Sequence, residues 1–481
     1  MQKTNLLILM DDEHSTKALG CYGHPFVQTP NLDRLAENGT LFERAYTNSP
    51  ICVPARATIA TGRQVHETRC WDNAIAYDGQ MRSWTHRMQQ TGHRVVSVGK
   101  LHYRNASNLA GFDRQIVPMH IANGRGDTLG LVRDPPPVRP QGRKFAEEIG
   151  PGDSPYIQYD KRITEEACNW LNNEGLREQQ PWVLFVSFIA PHFPLIAPPE
   201  YYALYNPDDM PMPKQRIDKL SLAHPWWQAF ENSFIFDRSF KSDHDRRVAI
   251  ASYFALCTFV DAQFGCILSA LSEAKLESKT RILYLSDHGE SLGARRLWGK
   301  STMYEESAAI PMILCGPDVP RGKRCQTPVS QVDIYPTVLA AVGAAPDVED
   351  RRLPGESLLA IAAQPVEAER LVLSQYHAGG SVSGAYMLRR GRYKYIYYVG
   401  CPPELYDLAA DPEELENLAG LPEYAQTLDG FEALLREQLD PEAVDRMAKD
   451  DQNKLIEHYG GRDAVLAQGG LHGTPAPALN K

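Results

Sequence analysis

This sequence predicts an α/β fold with a mostly parallel sheet and a smaller C-terminal α+β subdomain. Three observations carry that prediction. The apolar runs "NLLILM", "HRVVSVG", "WVLFVSFIAP" and "RILYLS" each stop abruptly at polar residues, as strands buried on both faces do in helix-covered parallel sheets. Helical patterns lie between these runs, so strand and helix alternate. From about residue 368 the pattern changes to short strands followed by a helix.

The elements follow in chain order. "NLLILM", ending at Asp11 and Asp12, reads as a buried first strand; it is too short for a signal-peptide core or a membrane span. "TPNLDRLAENG" offers Thr29 as a cap, Pro30 at the first helical position and Gly39 as the stop. In "SPICVPARATIATGR", Pro54 suits a first helical turn and Gly62 a left-handed stop. Cys52 then stands just ahead of a helix N-terminus, where free N–H groups and the positive end of the dipole attract anions. A thiol so placed is expected to be acidified; the other reading is a small side chain packed under a helix. "SWTHRMQQTG" is a helix feeding the strand that ends at Lys100, with His102 just beyond. "WVLFVSFIAP" ends at His192. Two long irregular insertions, Pro118–Tyr159 and Tyr205–Ser242, are expected to form lids, pocket rims or subunit contacts. The long amphipathic helix "DRRVAIASYFALCTFVDAQFGCILSALSEAK" leads into the strand that ends at Asp287 and His288. The chain divides into a main domain over residues 1–367 and a subdomain over 368–481 holding "ERLVLSQYH", "GAYMLRRGRYKYIYYV" and "ELYDLAADPEELENLAG". The final "HGTPAPALNK" reads as a tail.

Composition narrows the function. Hydrophobic residues at 43% and charged residues at 23% suit a soluble globular enzyme. The net charge of −10 argues against nucleic acid or an anionic membrane as partner, so an anionic substrate needs a local basic pocket. The nine scattered cysteines, without CxxC or zinc-type spacing, read as those of a reduced, cytoplasmic chain.

In an open α/β sheet, ligands bind beyond the carboxyl ends of the strands. Asp11, Asp12, Lys100, His102, His192, Asp287 and His288 all fall at such ends. A lone Asp there commonly caps a helix; it is the shared placement that argues for a site. Asp11, Asp12 and Asp287 offer hard oxygen ligands, and an imidazole from His288 tilts the set toward a transition ion such as manganese. Arg56, Lys100, His102, His192 and Lys300 supply donors and acid–base groups for a bound oxyanion. The inventory suits transfer of a sulfuryl or phosphoryl group.

The motif "CVPAR" resembles the C-x-P-x-R signature of type I sulfatases, members of the alkaline phosphatase superfamily. The resemblance runs almost continuously from "NLLILMDDEHS" through "ATIATGR" and continues in "GKLH", "APHFP", "SDHGESLGARRLWGKSTMYEES" and "RRGRYKYI" with "ELYDLAADPEELENLA". "WDNA" and "SDHGE" look closest to the choline sulfatase and phosphonate monoester hydrolase branch. The resemblance implies an alkaline phosphatase-like fold, a large mixed and mostly parallel sheet sandwiched by helices. It implies that a formylglycine-generating enzyme oxidises Cys52 to Cα-formylglycine, reading Pro54 and Arg56 as well. The hydrated aldehyde attacks sulfur, expels the alcohol, and releases sulfate when its second hydroxyl loses a proton. Asp11, Asp12, Asp287, His288 and modified Cys52 would hold one divalent metal, calcium by family habit, with manganese or magnesium as the alternatives. Arg56 and Lys100 would hold the nucleophile and neutralise the oxyanion. His102 would be the base for breakdown, His192 and Lys300 would face the leaving oxygen, and Asn73 would contact the oxyanion. Ala190 stands where many sulfatases have lysine before Pro-His.

The implied substrate is a small organic sulfate ester. A phosphonate monoester or phosphodiester hydrolase is the rival, because such substrates carry about the same single negative charge at the reacting group. The alcohol pocket is expected in the two insertions, with Trp226, Trp227, Phe230, Phe234 and Phe236 as candidate walls, or across a homo-oligomer interface.

Overall fold

The computed structural model describes residues 3–215, 224–470 and 473–478. Its main sheet comprises β1 (Asn5–Asp12), β2 (Gly39–Phe42), β3 (Val95–Lys100), β4 (Arg114–Met119), β5 (Val183–Pro191), β6 (Thr280–Ser286), β7 (Met312–Cys315) and β8 (Lys323–Cys325). Their order is β8-β2-β7-β6-β1-β5-β3-β4. The four runs singled out by unbroken hydrophobicity are the adjacent strands β6, β1, β5 and β3, all parallel. β7 runs antiparallel to both its neighbours and makes the sheet mixed. β3, β5 and β6 are buried at every residue because helices cover both faces.

The helices that matter for the site are α1 (Pro30–Glu37), α2 (Cys52–Thr61), α3 (Trp84–Gln90), α4 (Pro155–Trp170), α5 (Pro225–Phe234), α6 (Asp243–Glu273) and α7 (Ile334–Val342). Leu6, Ile8 and Met10 of β1 pack with α2, α3 and α7. Leu7 and Leu9 pack with α1, α4 and α6 on the opposite face. This is the period-two alternation of a strand, and it decides below which acid reaches the site. α6 is long and apolar enough to cross a membrane by length and composition, yet residues 249–261 are all buried inside the fold.

Two capping expectations need correction. Pro30 does open α1, but Thr29 makes no side-chain cap; its hydroxyl accepts from the Gly20 amide. Asp261 of α6 caps α1 instead, accepting the amides of Asn31 and Leu32 at 3.1 and 2.8 Å. Gly39 is the first residue of β2, and Asn38 closes the helix. α2 ends as expected, with Gly62 at φ +68° closing it, but it starts earlier than expected: Ile51 is the N-cap and Cys52 the first helical residue.

The C-terminal part forms an antiparallel meander, β9 (Val372–Tyr376), β10 (Ala385–Arg390), β11 (Tyr393–Tyr398) and β12 (Cys401–Asp407). Helices α8 (Ala425–Gln438), α9 (Pro441–His458) and α10 (Arg462–Gln468) follow, three where the sequence suggested one. Within the second insertion, residues 216–223 lie outside the described residues, and α5 forms much of the remainder. All nine cysteines are free.

Candidate active site

The site forms where β1, β3, β5 and β6 end, opposite the first turn of α2. Cys52 opens that helix and is buried. Its Sγ lies 3.2 Å from His288 Nε2, 3.5 Å from Asp12 Oδ1 and 3.3 Å from Lys300 Nζ. Asn73 Oδ1 accepts the Val53 amide at 3.2 Å, satisfying one of the open donors of the first turn. Ligand atoms of Asp12, Cys52, Asp287 and His288 all lie within 4.8 Å of one another, and all four residues are buried. Two carboxylates, an imidazole and the residue-52 side chain converging without intervening bulk fit a divalent ion.

Asp11 is not in that set, which corrects the expected ligands. Successive residues on a strand face opposite ways, so Asp11 points with Leu7 and Leu9 toward α6. There it accepts from Tyr284 Oη at 2.8 Å and pairs with His14 Nδ1 at 2.7 Å. Burial opposes charge on His14, but Cys257 and Asp11 outweigh it and hold the imidazole well above its usual range.

Arg56 also has a different task from the one expected. Its Nε donates to Asp287 at 2.9 Å and its Nη2 to Asp12 at 2.8 Å, while Nη1 donates to the Lys100 carbonyl and Ser187 Oγ. The guanidinium is spent on fixing the two carboxylates and does not line the pocket. Lys100 Nζ sits 2.7 Å from Asp12 Oδ2 and does line it. Burial favours protonated Asp12, but Lys100, His192, Arg56 and Lys300 together hold it well below the usual carboxylate range.

His192 and Lys300 converge on Glu13, which the sequence reading missed. Glu13 Oε2 is 3.0 Å from Lys300 Nζ and 3.4 Å from His192 Nε2. Strand alternation would turn residue 13 away from the site, but β1 ends at Asp12 and Glu13 adopts φ +72°. Burial raises its carboxyl to about 8, against the opposing Lys300. His192 Nδ1 lies 2.6 Å from the Phe193 carbonyl, which can only accept, so Nδ1 carries the proton. Burial and Lys300 push its pKa well down, leaving a neutral ring with Nε2 unprotonated. Lys300 is the charged donor: burial alone would lower it, and Cys52, Glu13 and Asp12 more than compensate. The thiol of Cys52, expected to be acidified by the helix, is pushed up to about 12 by burial and by Asp12.

Beyond Cys52 the pocket widens. Phe193, Phe230, Phe234 and Phe236 line it, together with Asp127, Arg139 and Tyr156 from the first insertion. Trp226 and Trp227 do not; they pack beneath the small sheet. His102 lines the pocket with Nε2 2.8 Å from Thr474 Oγ. Burial, Lys100 and Arg56 keep its ring neutral, well below the usual range.

The sulfatase family model matches residues 3–344, and a model described as N-sulphoglucosamine sulphohydrolase, C-terminal, matches residues 293–441. The chain belongs to the sulfatase family. The choline-sulfatase of Rhizobium meliloti is 29% identical, covering 86% of this chain and 81% of that protein. Arylsulfatase K of Gallus gallus is 30% identical, covering 90% and 82%. The phosphonate monoester hydrolase of Agrobacterium radiobacter superposes with TM-score 0.75 at 24% identity, covering 90% and 95% of the two chains. A 2-O GAG sulfatase superposes with TM-score 0.73 at 22% identity, covering 94% and 93%. These folds are alike, and the protein is a sulfatase, an enzyme that hydrolyses sulfate esters.

Proposed function

We propose that this sulfatase cleaves a small organic sulfate monoester with a Cα-formylglycine made from Cys52. The observation that carries the reading is the placement of Cys52 Sγ, which stands where a nucleophilic oxygen of the modified residue would be, within 3.5 Å of Asp12, His288 and Lys300. Formylglycine, as its hydrate, would supply an oxygen nucleophile and a second hydroxyl through which sulfate can leave. Asp12, Asp287, His288 and residue 52 would hold the divalent ion, which adds positive charge against the sulfuryl oxygens.

The chain's own groups have separable tasks. Lys100 places an ammonium against the oxyanion, while Arg56 keeps the ligand carboxylates in register. Lys300 is the standing donor for the departing oxygen, where charge grows as the S–O bond breaks. His192 Nε2, with Glu13 beside it, accepts or passes on a proton there. His102, neutral and buried, is suited to take the proton whose loss releases sulfate. The phenylalanine wall favours an alcohol or phenol with an apolar face.

The test is enzyme co-produced with a formylglycine-generating partner. Peptide mass spectrometry should find aldehyde at residue 52, and a panel of sulfate esters should turn over faster than phosphonate monoesters or phosphodiesters. A fully active preparation with thiol at residue 52 would overturn the nucleophile. Faster phosphonate turnover would reassign the substrate.

A further inference from the structure

Gly473 and Thr474, within the stretch that the sequence presents as a tail, belong to the pocket. α10 anchors them: Val465 is buried against Ala74, Leu131 and Val132. Gly469 and Gly470 then pass close over the pocket-lining insertion. A Cβ on Gly469 would come within 3.3 Å of Gln141 Nε2, and one on Gly470 within 3.2 Å of Arg139 Nη2. At Gly473 a Cβ would stand 2.7 Å from Tyr156 Oη, and that hydroxyl donates to the Thr474 carbonyl at 2.6 Å. Ala476 packs against the main core. Gly473 and Thr474 both line the pocket that contains Cys52. The segment lies beyond both family-matched regions, which end at residues 344 and 441.

The contact that matters chemically is the one to His102. Its Nε2 has Thr474 Oγ at 2.8 Å, and its Nδ1 is buried without a partner. A neutral imidazole carries one proton. If that proton sat on Nδ1, a buried N–H would be left unsatisfied, which is costly. With the proton on Nε2 it is donated to Thr474, and Nδ1 keeps a free lone pair. We propose that Thr474 is a positioning residue: it fixes the His102 ring in the Nε2–H form, with Nδ1 as its basic atom, and so makes the C-terminal segment a working part of the catalytic pocket. This rests on the sulfatase reading only for the task given to His102; the ring geometry stands apart from it.

The experiment uses the full-length, formylglycine-bearing enzyme. Thr474→Val keeps the volume and removes the hydroxyl. It should lower kcat roughly tenfold, the scale of one lost hydrogen bond, with KM for an aryl sulfate little changed. Thr474→Ser should restore most of the rate. In a His102→Ala background, Thr474→Val should cause no further loss, because the effect passes through that ring. Nitrogen NMR of the His102 ring should report Nε2–H in the wild type and a shift toward Nδ1–H in Thr474→Val. Wild-type kcat in Thr474→Val, or the same loss with and without His102, overturns the proposal. An unchanged ring spectrum overturns it even if no sulfate ester is turned over, which separates its failure from failure of the sulfatase reading.

Discussion

Lys300 and His192 meet at one carboxyl group, yet they hold protons differently, and that difference is open to measurement. An alkoxide leaving group needs a proton or a strong donor, whereas nitrophenolate needs little help. Lys300→Ala should therefore slow alkyl sulfates far more than activated aryl sulfates, steepening a plot of log kcat/KM against leaving-group pKa. His192→Ala should steepen it less, because Nε2 holds no proton of its own and can only pass one on, and Lys100→Ala should keep the slope because it acts on the shared oxyanion. Unchanged slopes in the first two variants would confine Lys300 and His192 to binding. Arg56 separates from this group, since its four hydrogen bonds go to Asp12, Asp287, the Lys100 carbonyl and Ser187. Removing the partner that orients metal ligands weakens a metal roughly 10- to 100-fold. Arg56→Lys should show that loss in competition with a chelating dye, with the fold retained by circular dichroism. An unchanged metal affinity would mean that the carboxylates hold their places without it.

At the scale of elements, the caps that sequence proposes and the caps the fold uses are not the same. Thr29 has the right type and position, but the fold turns its hydroxyl to Gly20 and brings Asp261 from α6 to the α1 amides. Asp261→Ala should cost about 2 kcal/mol, the upper range for losing a cap, read from urea unfolding. Thr29→Ala should leave the α1 amides capped and cost less. Equal costs would refute this assignment. β1 makes the companion point. Its alternation, legible in "NLLILMDD", already separates Asp11 from Asp12, so the exclusion of Asp11 from the metal set follows from period two alone. What no local pattern shows is that Glu13 turns back into the site, because that depends on where the strand stops and on its φ of +72°.

At the scale of the whole molecule, ion pairs tie the main domain to the C-terminal part: Lys394 of β11 pairs with Glu305 at 2.9 Å and Glu414 at 2.8 Å, and Lys17 and Lys214 pair with Glu413. Glu306 is buried among Arg295, Lys17 and Lys214. Burial raises its pKa, but those three cations win and bring it down to about 2 from 4.5. A carboxylate held lower in the folded state contributes stability that is present above its unfolded pKa and lost as pH falls through the folded one. Glu306→Gln should therefore be less stable than wild type at pH 7, and the gap should close between pH 4.5 and about 2. A gap of the same size at both ends would show that the loss is packing rather than charge. Chelation should abolish turnover at either scale of size, with Ca²⁺, Mg²⁺ or Mn²⁺ restoring it; a rate that survives exhaustive chelation would remove the metal from the mechanism.

The sequence by itself determined the strands and the chemistry at their ends. A strand buried on both faces must be apolar throughout, and catalytic groups must interrupt that pattern, so β1, β3, β5 and β6 and the residues Asp12, Lys100, His192, Asp287 and His288 were legible from hydrophobicity and residue type. The C-x-P-x-R pattern around Cys52 was legible because a helix start and a short sequence motif are both local. Only the tertiary structure decided the rest. Whether Arg56 faces substrate or carboxylates, whether Trp226 or Phe234 reaches the pocket, and whether Thr474 hangs free or holds His102 are all questions of contacts between residues far apart in the chain. Thr474 and His102 are separated by 372 positions. A hydrogen bond acts over about 3 Å, and no pattern along the chain records which distant groups the fold brings within that range.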